Sequence, residues 1–120
     1  MTKRRILIID DNALIAMLLA ETLTAMGYEI CGIEGTEQGA VAVAQSAKPD
    51  VMIVDLRLGS GSGVAAVEQI ERSGPVPHIF VSGDAKKLQL LGAAAIVLAK
   101  PFRESDLAEA IHRALSPASP

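Results

Sequence analysis

Short apolar runs that end abruptly in charged residues constrain the fold of this chain more than any other feature. Three such runs, with the residues that close them, are 6–9 before Asp10 and Asp11, 51–54 before Asp55, and 96–99 before Lys100. Runs of this kind are typical of strands buried on both faces of a parallel sheet. Because the carboxyl ends of parallel strands gather at one edge, three carboxylates and an ammonium are predicted to share one pocket.

The segments around these runs predict five strands and five helices in strict alternation. The predicted strands are 5–9, 28–33, 51–54, 77–81 and 95–99, and the predicted helices are 13–26, 36–47, 64–72, 85–91 and 104–115. This alternation predicts an α/β fold with a doubly wound, five-stranded parallel sheet of order 2-1-3-4-5, the flavodoxin-like (βα)5 arrangement. The second strand is more polar than the others, so we expect it at an edge of the sheet.

The connecting and terminal segments complete the predicted domain. The glycine-rich segment 59–63 is interpreted as a flexible loop, since it lacks the lysine of a phosphate-binding loop. Residues 1–116 are predicted to form one domain and residues 117–120 a disordered tail. The chain ends soon after the last helix, which favours a stand-alone domain.

Composition excludes several classes of protein. Hydrophobic residues make up 50% of the 120 residues and aromatic residues 2%, so the core must be aliphatic. A net charge of −3 without an extended basic block disfavours nucleic-acid binding. No apolar stretch reaches the ~20 residues that span a bilayer. The single cysteine, Cys31, excludes an intrachain disulfide and is interpreted as a small buried residue in a strand. We expect a cytoplasmic monomer or weak dimer.

The clustered carboxylates predict a cation site. Asp10, Asp11 and Asp55 would repel one another in one pocket, and a hard divalent cation such as Mg²⁺ or Mn²⁺ relieves that repulsion. A carboxylate beside such an ion can attack a phosphoryl group. Lys100 can neutralise charge on the phosphoryl oxygens, and the hydroxyl of Ser82, just after the fourth predicted strand, can donate a hydrogen bond to them.

Together these residues resemble the receiver domains of response regulators. Four motifs, each at a predicted strand end, carry the resemblance: residues 9–12 (IDDN), residues 54–56 (VDL) with Gly63 eight positions after Asp55, residues 80–83 (FVSG), and residues 100–102 (KPF). Each motif is weak alone, but the set in this order is specific. The resemblance covers about residues 4–115.

The resemblance implies a phosphorelay function centred on Asp55. This residue would accept a phosphoryl group from the phosphohistidine of a histidine kinase or a histidine phosphotransfer protein. Asp10 and Asp11 would hold Mg²⁺, with Asp55 and the backbone carbonyl of Arg57 as further ligands. The domain would then signal to an unknown downstream protein through altered contacts. It would be a signalling phosphoacceptor, with intrinsic autophosphorylation and autodephosphorylation, and not a metabolic enzyme.

The resemblance also assigns roles around the pocket, and the chain departs from the family pattern at three places, the first being the looser glycine loop 59–63 in place of a tighter loop with a proline. Lys100 would pair with the phosphoryl group, Ser82 would be the switch hydroxyl, and the Lys100–Pro101 peptide bond would be cis. The position of the aromatic switch residue is occupied by Val97. Only 17 residues separate Ser82 from Lys100, so the fourth helix is predicted to be short or irregular.

The first helix contains two sets of apolar residues. A predicted core stripe at helical spacing consists of Ile15, Leu19, Leu23 and Met26. A second set, Ala13, Leu14 and Met17, lies beside the acidic pocket, where receivers contact the kinase, and is interpreted as a candidate docking surface. The alternative is a helix buried more deeply than the stripe requires.

Other interpretations remain open from the sequence. Arg57 and Asp84 are hypothesised to tune the lifetime of the phosphoryl group. His78 and His112 have no other potential metal ligands beside them, so they are interpreted as surface or boundary residues. A phosphohydrolase with an aspartyl nucleophile usually has an aspartate two residues later, which neither Asp10 nor Asp55 has. The remaining alternatives are a non-phosphorylated interaction module on the same fold and a receiver portion of a larger hybrid kinase or regulator.

Overall fold

The computed structural model describes residues 2–116, which form seven strands and five helices. The strands are β1 (Arg5–Ile9), β2 (Glu29–Glu34), β3 (Val51–Asp55), β4 (Arg57–Leu58), β5 (Gly61–Ser62), β6 (His78–Ser82) and β7 (Val97–Ala99). The helices are α1 (Ala13–Ala25), α2 (Glu37–Ala47), α3 (Gly63–Glu71), α4 (Ala85–Gln89) and α5 (Glu104–Leu115). The predicted tail, 117–120, lies outside the described residues. Within residues 2–116, every helix is too short or too polar to cross a bilayer.

Five strands form one parallel sheet in the order β2-β1-β3-β6-β7. The predicted order 2-1-3-4-5 is confirmed, because β6 and β7 are the fourth and fifth strands of this sheet. The polar strand β2 lies at an edge, as predicted. The winding direction reverses between β1 and β3, and crevices at such reversals are the usual ligand sites of doubly wound sheets.

The two faces of the sheet are buried under different helices. In β1, Ile6 and Ile8 face α1 and α5, whereas Leu7 and Ile9 face α2, α3 and α4, and all four side chains are fully buried. Burying an aliphatic side chain of this size contributes about 1.5–3 kcal/mol to folding. The strand that leads to Asp10 is therefore packed against helices on both faces of the sheet, which fixes the position of this aspartate.

Side-chain caps fix the starts of the helices nearest the sheet edge. Asn12 accepts a hydrogen bond from the Ile15 N–H at 3.1 Å, which begins α1 directly after the two aspartates. Ser62 accepts from the Ala65 N–H at 3.3 Å and begins α3. Each cap contributes on the order of 1 kcal/mol. The caps also set where the chain turns away from the site.

The glycine-rich segment 59–63 is not the flexible loop that the sequence predicted. Strands β4 and β5 pair antiparallel, with Arg57 opposite Ser62 and Leu58 opposite Gly61. Gly59 makes the reversal with φ +56°, in the left-handed region that favours glycine. We call residues 57–62 the hairpin. Two residue pairs are too few for an alternating pattern to appear in the sequence.

Smaller differences from the predictions have local causes. Ile15 was predicted in the core but is 40% exposed, and it lines a cavity between α1 and the sheet, whereas the next residue, Ala16, is fully buried. Cys31 lies in β2 but is only half-buried, since that strand is at the sheet edge. The shortened fourth helix is confirmed: α4 has five residues.

Candidate functional site

Four strands bring polar side chains to the same edge of the sheet. Asp10 follows β1, Asp55 ends β3, Ser82 ends β6 and Lys100 follows β7. The Lys100 Nζ lies 2.8 Å from Asp55 Oδ2 and 3.7 Å from Asp10 Oδ2. Asp10, Asp55 and Lys100, separated by up to 90 residues in the sequence, therefore meet in one crevice at this edge of the sheet.

Asp10 is the most buried carboxylate of the group. It is 6% exposed, and its Oδ1 accepts a hydrogen bond from the Asn12 N–H at 2.9 Å. Burial raises the pKa of the Asp10 carboxyl above its ordinary value, and the negative charge of Asp55 raises it further, while the Asn12 N–H opposes the shift. An anionic Asp10 is therefore costly to hold here unless a further positive charge is present.

Lys100 is the positive charge that the crevice supplies itself. Burial alone would lower the pKa of Lys100, but its hydrogen bond to Asp55 and the charges of Asp55 and Asp10 outweigh that effect and raise the pKa. The amine therefore remains an ammonium at neutral pH. It contributes one positive charge against two neighbouring carboxylates.

Asp55 is held in a fixed orientation. Its Oδ1 accepts a hydrogen bond from the Arg57 N–H at 2.9 Å, and its Oδ2 accepts one from Lys100. The side chain is 16% exposed, so one part of the carboxylate faces solvent. A partly exposed, oriented carboxylate is suited to react with an incoming group.

Asp11 contacts an element that the sequence analysis did not connect to it. Its Oδ2 accepts a hydrogen bond at 2.7 Å from the N–H of Gly59, which lies 48 residues away at the turn of the hairpin. This backbone donor leaves no side-chain signal in the sequence, because any residue except proline supplies an N–H. The Asp11 carboxylate is therefore held against the turn of the hairpin.

Ser82 is almost buried at the end of β6. Its Oγ accepts a hydrogen bond from the Asp84 N–H at 3.0 Å, which leaves its hydroxyl proton for another acceptor. The Asp84 carboxylate accepts from the N–H groups of Lys86 and Lys87 and so caps α4. Asp84 therefore has a structural role, as the cap of α4, in addition to its position beside the pocket.

A polar cavity of about 540 Å³ opens in front of these groups. Its charged and hydroxyl-bearing lining residues are Asp55, Arg57, Ser82, Asp84, Lys87 and Lys100. Three of these side chains are cationic and two are carboxylates, so the lining carries a net positive charge, which favours an anion. Lys87 was not identified from the sequence, because a lysine in a helical segment normally indicates only a solvated face. It reaches the cavity because α4 begins immediately beside β6.

A second cavity, of about 470 Å³, lies on the α1 side of the same carboxylates and is mainly apolar. Ile15 and Leu19 line it from α1, and Pro101 and Phe102 line it from the segment after β7. The second apolar set of α1 lies nearby in solvent, with Leu14 66% and Met17 58% exposed, and Ala13 also exposed. The alternative of a deeply buried α1 is therefore wrong for these residues.

The donor set fits a magnesium ion better than a metal held mainly by side chains. Among residues 2–116, no three histidine, cysteine, aspartate or glutamate side chains form a ready metal cluster. Mg²⁺ is usually held by one or two carboxylates and keeps several water ligands. Asp10 offers carboxylate oxygens of the required kind, and its negative charge, close to that of Asp55, is not fully compensated by Lys100.

The remaining singled-out residues lie away from this crevice or at its margin. The Nδ1 of His78 is 2.8 Å from the Val76 carbonyl, at the opposite end of β6 from Ser82. His112 is exposed on α5. Val97 lies on β7 and is 36% exposed. The Lys100–Pro101 peptide bond at the crevice is cis.

The fold is a doubly wound parallel sheet with an acidic crevice at the edge where its strands end. The family model of the response regulator receiver domain matches residues 6–112. The chain belongs to the family of response regulator receiver domains.

Particular relatives carry the same domain in proteins of different length. The chain is 40% identical over 117 residues to the transcriptional regulatory protein PdtaR of Mycobacterium tuberculosis, a match that covers 94% of this chain and 57% of PdtaR. It is 30% identical over 115 residues to the chemotaxis protein CheY of Thermotoga maritima, covering 92% of this chain and 96% of that protein. The chain thus spans little more than half of PdtaR.

Solved structures agree with this family. The receiver domain of the PhyR response regulator of Erythrobacter litoralis has a TM-score of 0.86 at 31% identity, covering 98% of this chain and 96% of that one. The chemotaxis protein CheY4 of Vibrio cholerae has a TM-score of 0.83 at 26% identity, covering 95% and 100%.

Proposed function

We propose that Asp55 accepts a phosphoryl group from a phosphohistidine, in the presence of Mg²⁺, and that the domain then signals through altered contacts with a downstream protein. One observation carries this proposal. The Asp55 carboxylate is oriented by Lys100 and by the Arg57 N–H, and it faces a polar cavity that Lys87 and Lys100 line. Such an arrangement suits a nucleophile that meets an anionic phosphoryl group.

The chain's own residues divide the transfer step between them. An oxygen of ionised Asp55 attacks phosphorus, a P–O bond forms, and the P–N bond breaks with its electron pair leaving on the imidazole nitrogen. The product is an acyl phosphate. Lys100, already beside Asp55, pairs with one phosphoryl oxygen. The Ser82 hydroxyl donates a hydrogen bond to a second phosphoryl oxygen.

Mg²⁺ would be held by Asp10, Asp11, Asp55 and the backbone carbonyl of Arg57. When bound, it supplies positive charge to the oxygens of the phosphoryl group. The raised pKa of Asp10 supports this assignment, because a buried carboxylate beside a second one gains most from a nearby cation. Mn²⁺ has similar ligand preferences and is expected to substitute.

Acetyl phosphate with intact-mass measurement tests this proposal. We expect one phosphoryl adduct on the wild-type chain with Mg²⁺, and none after chelation with EDTA or in Asp55→Asn. Absence of an adduct with both acetyl phosphate and phosphorylated histidine kinases would favour a non-phosphorylated interaction module. Sustained hydrolysis of small phosphate esters would favour a phosphohydrolase instead.

We further propose that Ala13, Leu14 and Met17 dock the phosphohistidine-bearing protein. These side chains are exposed and apolar, and they lie on α1, the helix whose Ile15 and Leu19 line a mainly apolar cavity that reaches Asp10. A helix of a histidine kinase or phosphotransfer protein could bury them next to Asp55. Leu14→Asp is expected to reduce transfer from phosphorylated kinases at least tenfold while acetyl phosphate labelling stays unchanged. Equal loss with both donors would contradict docking.

Two features bear on the lifetime and output of the phosphorylated state. Arg57 and Asp84 line the polar cavity, and we propose that they influence access of the hydrolytic water. Unchanged adduct lifetimes in Arg57→Ala and Asp84→Asn would remove this role. Val97 replaces the aromatic switch residue, so the output surface must change without an aromatic rotamer.

A further inference from the structure

The hairpin, residues 57–62, is fastened to α2 by a single carboxylate. Glu37 is the first residue of α2, and its Oε2 accepts a hydrogen bond from the Ser62 N–H at 2.8 Å. Its Oε1 accepts one from the Gln69 Nε2 on α3 at 3.0 Å. Glu37 thus links α2, the second strand of the hairpin and α3. A carboxylate at the start of a helix is itself favoured by the helix dipole.

The backbone of the hairpin also contacts two aspartates, Asp11 and Asp55. The Gly59 N–H donates to Asp11, and the Arg57 N–H donates to Asp55. These contacts involve backbone groups, so they depend on where the whole hairpin sits and not on a side chain of its own. Any movement of the hairpin would therefore change the positions of both carboxylates together.

The contact at Glu37 is closely fitted. A Cβ on Gly61 would lie 2.5 Å from the Glu37 Oε2, nearer than real Cβ atoms approach. The absence of a side chain at this position allows the carboxylate to reach the backbone of the hairpin. Neither packing of the core nor capping of α2 requires this approach, since Thr36 caps that helix.

We propose that Glu37 is a positioning residue for the cation and phosphoryl site. By holding the hairpin against α2, it places the Gly59 N–H on Asp11 and the backbone of Arg57 beside Asp55. The inference rests on the proposed function, because it concerns the same cation site. Loss of a residue that orients metal ligands through hydrogen bonds costs about 10–100-fold in metal affinity.

The first test measures the affinity of the metal-free chain for Mn²⁺, with electron paramagnetic resonance used to quantify the unbound ion. Glu37→Ala is expected to weaken binding by about 10–100-fold. Glu37→Gln is expected to stay within about threefold, because its amide oxygen can accept from the Ser62 N–H and the Gln69 amide can rotate to pair with its nitrogen. The matched control is Glu68→Ala, which removes an exposed carboxylate from α3.

The second test does not depend on any metal. In ¹⁵N NMR spectra of the metal-free chain, Glu37→Ala is expected to move the Gly59 amide resonance and speed its hydrogen exchange at least tenfold, with Glu37→Gln restoring both. Gly61→Ala, which displaces the Glu37 carboxylate, is expected to weaken Mn²⁺ binding to a similar degree. Circular dichroism will show whether Glu37→Ala folds. If it does not, Gly61→Ala provides the same comparison.

The outcomes separate the two proposals. Unchanged Mn²⁺ affinity in folded Glu37→Ala, with normal wild-type binding, would overturn the positioning role and leave the phosphoacceptor function intact. An equal loss in Glu68→Ala would also overturn it. A wild-type chain that binds no Mn²⁺ and gains no phosphoryl group would overturn both proposals.

Discussion

Lys100 and Asp55, 45 positions apart in the sequence, form a 2.8 Å hydrogen bond between Nζ and Oδ2. The same ammonium lies 3.7 Å from Asp10. One lysine thus faces both carboxylates of the crevice, on β-strand ends that the sheet places next to each other. Several consequences of this arrangement can be measured.

Replacing Lys100 should slow phosphorylation far more than it disturbs folding. Lys100→Ala removes the ammonium that would pair with the phosphoryl oxygens, and the loss of one such stabilising donor costs about 10²–10³-fold in rate. The measurement is the rate of adduct formation with acetyl phosphate and Mg²⁺. Lys3→Ala, which removes an exposed lysine distant from the crevice, serves as the control. A loss of less than threefold would contradict the role given to Lys100.

Replacing Asp10 should stabilise the metal-free chain at neutral pH. The folded state raises the pKa of this carboxyl above its ordinary value, so the folded chain retains a proton that the unfolded chain has released. The contribution of Asp10 to the free energy of unfolding therefore falls as pH rises from the ordinary pKa through the raised one. Asp10→Asn has no such titration and should be the more stable form above that range.

Urea unfolding in EDTA between pH 4 and pH 8 measures this difference. The gap between Asp10→Asn and the wild type should widen with pH and then level off. Glu68→Gln, an exposed carboxylate on α3, should show no comparable trend. A wild-type chain that is more stable than Asp10→Asn at pH 8 would show that the ionised Asp10 carboxylate does not lower the free energy of unfolding.

Gly63 is expected to tolerate no side chain. A Cβ at this position would lie 2.7 Å from the Val54 Cγ1 and would clash with the Asp55 backbone carbonyl. Gly63→Ala should lower the free energy of unfolding by about 1–3 kcal/mol, the usual cost of overpacking. The control is Gly83→Ala, where nothing lies within 4 Å of the added carbon. Equal denaturant midpoints for the two variants would contradict this expectation.

Asp84 is expected to matter for stability through its cap on α4. Its Oδ1 accepts from the Lys86 N–H at 3.0 Å and from the Lys87 N–H at 3.3 Å. Asp84→Ala should cost about 0.5–2 kcal/mol, whereas Asp84→Asn retains the acceptor oxygen and should cost little. Thermal unfolding of both variants measures the difference. Similar losses in both would point to the charge and not to the cap.

Much of the fold was predictable because strong, local patterns determine it. Residues 6–9 of β1 and residues 51–54 of β3 are all apolar and are buried on both faces of the sheet, so the sequence was enough to identify both segments as strands. The alternation of strands and helices then left one common topology, which placed Asp10, Asp55 and Lys100 at the same edge. The proximity of these three side chains follows from connectivity alone.

What the sequence did not predict depends on contacts between distant segments. The hairpin looked like a glycine-rich loop, because its support comes from the Asp11 and Glu37 carboxylates far away in the chain. Helical periodicity placed Ile15 on the core side of α1 but did not encode the cavity that leaves it 40% exposed. Lys87 reaches the polar cavity only because α4 starts directly after β6.

The brevity of α4 has an energetic consequence. Of its five residues one, Leu88, is buried, and Leu90 just beyond it is 85% exposed. A segment with so little apolar contact opens at low free-energy cost compared with the core strands. A two-state rearrangement there can be driven by a difference in interaction energy of only about 1–3 kcal/mol. A single covalently attached anion at the neighbouring strand end can supply a bias of that size.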